Sequence, residues 1–232
     1  MGSTRYREIV KLLKANTGAE RLANVFDDFV ELGAISFRNA VDHDGRDDRE
    51  ARYLLVAGKY TREQLERFGQ ALALVTVTMG EEPCDVLGRL YMELDLGNEH
   101  LGQFFTPFDV ARLVAGLNAG ALIGQVREHG FAELYEPACG AGAFVVASAL
   151  EIQRAGLNYQ RQLHVTAEDI ASVAVHMVYV HLTLLHVPAV VYRRNTLTGE
   201  TFETWPTPAH ILGGWGQFLQ GRAARRALTA AE

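Results

Sequence analysis

A chain of 232 residues with 48% apolar content can bury a substantial core, either as one domain or as a small helical domain beside a larger one. Its formal charge of −6 excludes a surface that grips nucleic acid all over, because phosphate binding needs a concentrated basic face; any such contact has to be local or supplied by a partner. Cys84 and Cys139 form neither a disulfide scaffold nor a zinc-ligand spacing, no apolar run reaches the roughly 18 residues that cross a bilayer, and no hydrophobic signal core follows Met1 to Arg7, so a reducing cytoplasmic setting without metal or membrane is expected.

From the start to about residue 100 the apolar positions keep helical spacing: Ile9, Leu12 and Leu13; Leu22, Val25, Phe26, Phe29 and Val30; Leu65, Phe68, Leu72 and Val75. The charge run from Asp42 to Glu50 has no core face and reads as a solvated loop or a helix start. Asp85 to Leu94 carries another apolar stripe, and Gly97-Asn98 ends it. Thr106-Pro107-Phe108-Asp109 is a good helix opening, because Thr accepts from the first turn, Pro fits the first helical position and Asp suits the positive end. Val110, Leu113, Val114 and Leu117 are the predicted buried stripe of that helix.

A strand ending at Glu136 is predicted next, then a glycine turn, a helix over 144–155, a strand over 164–167, a helix over 171–186 and a strand over 189–192. This β-α-β-α-β alternation implies right-handed crossovers and a parallel sheet, with ligands at the carboxyl ends of its strands. Beyond Tyr192 the pattern dissolves: Trp205-Pro206-Thr207-Pro208 cannot be a central strand, Gly213-Gly214 is a break, and 217–231 reads as a terminal helix. The expected division is therefore a helical region over 1–100, an α/β core over 101–200, and an irregular segment with a C-terminal helix over 201–232. A three-stranded sheet leaves an exposed edge, which favours self-association or another chain as cover.

Chemistry gathers at one place. Gly140-x-Gly142 lets the backbone turn with positive φ and approach a ligand without a Cβ in the way, and the helix behind it offers unpaired N–H groups. Glu136 and Asp169 end the first and second strands, so parallel pairing brings both carboxylates to the edge that carries this turn. An acid there can accept ribose hydroxyls, and Glu136 beside the turn suits a cationic cofactor, which favours S-adenosylmethionine over a dinucleotide. The plain alternatives are that Glu136 caps the turn and that Asp169 caps the helix at Ala171. His176, His181 and His186 recur every five residues and spread around a helix, so they do not gather as metal ligands. Arg193-Arg194 and Arg222, Arg225 and Arg226 could touch phosphates or simply be solvated.

Three segments carry a resemblance: Gly102-Gln103-Phe104-Phe105-Thr106-Pro107, Glu136-Pro137-Ala138-Cys139-Gly140-Ala141-Gly142, and Ala167-Glu168-Asp169-Ile170. Over residues 80–197 the chain resembles the adenine-N6 DNA methyltransferases, most closely the modification subunits of type I restriction systems. The resemblance implies a shortened S-adenosylmethionine-dependent methyltransferase fold, a Rossmann-like parallel sheet with a helical N-terminal domain. It further implies S-adenosylmethionine as cofactor and DNA as substrate, contacted with the help of a partner subunit in a restriction-modification assembly or a homo-oligomer. Phe105 and Thr106 would close over the methionine end of the cofactor. Glu136, Pro137, Cys139, Gly140 and Gly142 match the cofactor loop, and Asp169 matches the ribose acid, with Glu168 as its substitute if the register shifts by one. Cys139 itself reads as a small packing residue rather than a nucleophile.

The departures are specific. The family carries an Asn/Asp-Pro-Pro-Tyr/Phe tetrapeptide whose polar groups accept from the target adenine amine and whose ring stacks on the flipped base; this sequence has no Pro-Pro pair. The acceptors would then have to come from Asn195, in the neighbourhood where the family holds the cofactor adenine with an acid, from the Trp205 to His210 stretch, or from a second subunit. The family's later strands and target-recognition domain have no counterpart either. Two functions follow: a methyltransferase-like protein that a partner completes, or a non-enzymatic binding module that regulates or decoys a restriction system. A small-molecule or protein methyltransferase is a third, disfavoured by the Gly102 to Pro107 segment.

Overall fold

The structure is a computed structural model that describes residues 2–96 and 105–229. The first of these stretches is helical: α1 (Gly2–Lys14), α2 (Leu22–Asn39), α3 (Arg46–Ala57), α4 (Arg62–Glu81) and α5 (Val86–Glu93). Thr61 opens α4 with a capping box, its side chain accepting from Gln64 N–H while the Gln64 side chain accepts from Thr61 N–H. The charge run supplies the start of α3, and Arg49 in it donates to the carbonyls of Asp42 and Asp44. Phe26, Phe29, Tyr60, Phe68 and Tyr91 form a chain of aromatic contacts inside this region, with ring centroids 4.9–6.4 Å apart. The buried Asp28 beneath them is held by Lys59 at 3.0 Å and the Tyr60 hydroxyl at 2.7 Å.

The second stretch comprises α6 (Phe108–His129), β1 (Ala132–Glu136), α7 (Ala143–Arg154), α8 (Tyr159–Gln162), β2 (Leu163–Asp169), α9 (Ser172–Leu184), β3 (Ala189–Asn195), β4 (Glu200–Pro206), α10 (Pro208–Leu212) and α11 (Trp215–Thr229). The architecture is α/β. The strand order is β1-β2-β3-β4, with β1, β2 and β3 parallel and in the register Leu134↔Val165↔Ala189. The sheet is nevertheless mixed, which corrects the expectation of a purely parallel one: the stretch after Asn195 is not irregular but turns back as β4, antiparallel to β3. Pro206 is tolerated because it ends the outermost strand, where no ladder donor is required of it.

The helical and α/β regions share one continuous apolar core, which runs from Ile9 and Phe26 to Val165 and Val191 and is joined where α2 packs along α9. At the other end Trp215 packs on Phe131 and His164, which precede or begin β1 and β2, so α10 and α11 close the amino ends of the strands. The carboxyl ends are left for the site.

Helix α6 forms over the predicted stretch, but it opens one residue later, with Pro107 at the cap position and no side-chain cap from Thr106, and it presents the opposite face. Ala111, Ala115, Ala119, Leu122 and Val126 are buried, whereas Leu113 and Leu117 are 67% and 80% exposed and Val110 and Val114 also face outward. The reason is the partner: α7 brings Ala143 and Ala147 against Ala111 and Ala115, and two helices approach that closely only with small side chains between them.

Candidate cofactor site

The turn between β1 and α7 is bent by Gly140 at φ +51° and Gly142 at φ +91°. Packing requires both glycines as well. A Cβ at Gly142 would stand 2.6 Å from Val178 of α9, and one at Gly140 would stand 2.8 Å from the ring of Phe105.

The backbone donors of this turn are almost all taken by the chain itself. Ala138 N–H donates to Glu136 at 3.3 Å, Cys139 N–H to the carbonyl of Glu168 at 2.9 Å, Gly140 N–H to Asp169 Oδ2 at 3.0 Å, and Gly142 N–H to the carbonyl of Cys139 at 2.8 Å. Of the N–H groups of residues 138–142, that of Ala141 alone has no acceptor among the described residues.

Asp169 thus does two things. Its Oδ1 accepts from Ala171 N–H at 2.9 Å, which closes a turn ahead of α9 rather than capping the helix, since the cap position is Ala171 itself and has no side-chain cap, and its Oδ2 ties the end of β2 to the glycine turn at the end of β1. Each carboxylate oxygen can still accept a further hydrogen bond. Glu136 likewise caps its own turn through Ala138 and lies half-buried on the same rim. Glu168 faces away, as alternation along a strand requires: it is 2% exposed, paired with Arg194 at 3.0 Å and accepting from the Thr196 hydroxyl at 3.1 Å.

Cys139 is buried in the turn, and burial, with Asp169 and Glu136 adding to it, pushes its thiol well above the ordinary range. It is a packing residue and not a thiolate nucleophile. Pro137 is exposed, and its carbonyl accepts from the Thr196 hydroxyl at 2.8 Å. Phe105 packs its ring on Gly140 and edge-on to Tyr91, 5.0 Å between centroids. Thr106 beside it is exposed, and both line a cavity of about 970 Å³ bounded by α5, α6 and α7. Neither this cavity nor a smaller one of about 480 Å³ near α2 and α9 is lined by Glu136, Gly140 or Asp169. Gly102, Gln103 and Phe104 of the same motif lie outside the described residues.

Asn195 is not brought to this rim by any hydrogen bond. Its Oδ1 accepts from the N–H groups of Leu197 and Thr198 at 3.1 and 3.2 Å, which makes it the turn-forming residue of the β3–β4 hairpin. Its neighbour Thr196 reaches the end of β1 on the Glu168 side instead, within hydrogen-bond distance of the Pro137 carbonyl and the Glu168 carboxylate. The Arg193-Arg194 pair is engaged internally, with Glu203 at 2.8 Å and Glu168 at 3.0 Å, and Arg222 lies over the Phe131 ring.

Four features escaped the sequence reading. Thr196 and the Glu168–Arg194 pair depend on contacts across the sheet. Ile170, 58% exposed directly after Asp169, is an apolar side chain that strand–acid–helix reasoning passes over. His181 is the fourth: one member of the five-residue histidine series, it is fully buried behind the turn, whereas His176 packs on Trp205 and His186 is exposed. Among the described residues no group of three or more His, Cys, Asp or Glu side chains is placed to hold a metal ion, and no helix is long and apolar enough to cross a membrane.

No protein-family model matches this chain, and no curated protein matches it. Two solved structures are similar in shape. One is a Listeria monocytogenes protein assigned to the class I S-adenosylmethionine-dependent methyltransferases, 12% identical, with a TM-score of 0.40 over 81% of this chain and 52% of that one. The other is the methyltransferase subunit of a type I restriction-modification system from Streptococcus thermophilus, 14% identical, with a TM-score of 0.41 over 84% of this chain and 59% of that one. The chain therefore spans little more than half the length of either.

Proposed function

We propose that the chain binds S-adenosylmethionine on the rim formed by the 139–142 turn and Asp169, as the cofactor-binding part of an adenine-N6 DNA methyltransferase whose base-binding acceptors come from a partner chain. The observation that carries this reading is the hydrogen bond from Gly140 N–H to Asp169 Oδ2, which makes one rim of a positive-φ glycine turn and the acid that closes the neighbouring parallel strand. The residues fit such a ligand: Asp169 has spare acceptor capacity for two ribose hydroxyls, Ile170 offers an apolar surface for the adenine, Ala141 N–H is a donor for a carboxylate, and Glu136 is an anion for the ammonium or sulfonium end. Phe105 and Thr106 flank the turn on the side of α5 and α6.

The cofactor supplies a methyl group activated by positive sulfur. The chain's part is to hold: no nucleophile of its own is required, because the adenine amine is the attacking group and the rate comes from its alignment and from acceptors for its protons. Calorimetry with S-adenosylmethionine and the demethylated product tests the binding. Transfer of labelled methyl to mixed-sequence DNA, by the chain alone and with an intact modification complex, tests the chemistry; incorporation only in the second case is the expected result.

A second reading, a regulatory or decoy module without catalysis, is favoured by Asn195, whose side-chain oxygen is committed to the hairpin turn. Absence of any binding heat at millimolar cofactor would make that reading the better one.

A further inference from the structure

Resting on the reading of the 139–142 turn as a cofactor cradle, we infer that His181 is the positioning residue of that turn, clamping it against the helical region so that Ala141 N–H keeps its aim. His181 lies in α9 with no exposed surface. Its Nδ1 is 2.9 Å from the carbonyl oxygen of Ala141, and its Nε2 is 3.1 Å from the backbone nitrogen of Leu87. A carbonyl only accepts and a backbone N–H only donates, so both contacts are satisfied by one state alone: neutral imidazole with its proton on Nδ1.

What this fixes is a particular peptide. The Ala141–Gly142 peptide is held at both ends, its carbonyl by His181 and its N–H by the carbonyl of Cys139. On the other side, the Cys139–Gly140 peptide is held by Asp169. The peptide between them, Gly140–Ala141, carries the only N–H of residues 138–142 that has no partner among the described residues, and its orientation is set from both flanks. Two glycines at positive φ would otherwise let it swing.

The clamp has its anchor in the helical region. Leu87 lies in the first turn of α5, whose cap Asp85 accepts from Gly88 N–H at 2.8 Å and lies 3.9 Å from His181 Nδ1. Gly88 is pressed so closely on the turn that a Cβ there would stand 2.7 Å from the Cβ of Ala141. Helix α5 therefore forms the wall behind the cradle, and His181 is the bolt between them.

Two substitutions separate the halves of the clamp. In His181→Asn the amide nitrogen replaces Nδ1 and keeps the donor to Ala141 while losing Leu87; in His181→Gln the longer amide places its oxygen near Nε2, keeping Leu87 and losing Ala141. Urea unfolding is expected to show similar losses of stability, since each leaves one buried backbone group unpaired. Cofactor affinity by calorimetry is expected to stay within about threefold of wild type in His181→Asn and to fall by at least about tenfold in His181→Gln. Equal affinities in the two variants, or the reverse order, overturn the inference, whereas failure of the wild-type chain to bind S-adenosylmethionine removes the cofactor reading itself. Should a variant not fold, long-range ¹⁵N spectra of the wild-type histidines decide: a proton on Nδ1 of His181 is expected, and a proton on Nε2 instead would exclude donation to Ala141.

Discussion

At the scale of the residue, Asp169 is the most heavily used group on the rim, because two backbone N–H donors from different segments converge on it. Removing both acceptors in Asp169→Ala is expected to destabilise the fold by about 2 kcal/mol, the size usual for hydrogen bonds to charged groups, and to weaken S-adenosylmethionine binding at least tenfold (about 1.4 kcal/mol or more). Asp169→Asn keeps one of the two acceptors and should fall between, as read by urea midpoints and calorimetry. Gly142→Ala combines a left-handed backbone with a collision against Val178 and is expected to cost about 1–3 kcal/mol or more; an unchanged midpoint would show that the turn relaxes freely. These positions were legible in the sequence because their roles are local, a sharp turn and a strand end. Thr196 bridging to Pro137 and His181 to Ala141 were not, since they join residues 59 and 40 positions apart in the chain.

At the scale of the element, α6 shows how periodicity can be right about a helix and wrong about its face. Its sequence carries two stripes, one of Val and Leu and one of Ala, and hydrophobic size alone selects the larger. The contact with Ala143 and Ala147 of α7 selects the smaller. Ala115→Leu is therefore expected to destabilise by about 1–3 kcal/mol through overpacking, while Leu117→Gln, in the stripe that periodicity favoured, should stay within about 0.5 kcal/mol of wild type. The reverse ranking in urea unfolding would restore the Val and Leu face to the core. Strand β4 was hidden for another reason: Trp205-Pro206 correctly excluded a central strand, and an edge strand that pairs backwards leaves a weak alternation in seven residues.

At the scale of the whole molecule, the amino ends of the strands hold a pH-sensitive pair. His164 and His210 approach to 2.9 Å, and burial, with the neighbouring imidazole adding to it, lowers His164 to about 4. Its folded value lies below the unfolded one of about 6.5, so protonation favours the unfolded chain. The stability from this group is complete above about pH 6.5 and is lost as pH falls towards 4, by about 3 kcal/mol in total. Burial lowers His176 and His181 as well and acts in the same direction. Urea midpoints between pH 7 and pH 4 should decline accordingly, and less steeply in His164→Gln; a curve flat across that window contradicts the pairing.

The two outermost strands also carry plugs. Gln125 of α6 offers its oxygen to Glu133 N–H of β1 at 3.1 Å, and Arg38 of α2 donates to the Thr204 carbonyl of β4 at 2.8 Å. A foreign strand that tried to zip onto either border would have to evict a side chain before it gained its first rung. Clipping one of them, in Gln125→Ala or Arg38→Ala, should therefore unmask a sticky border, with heavier species rising in light scattering as concentration increases, while the unaltered chain resists runaway stacking.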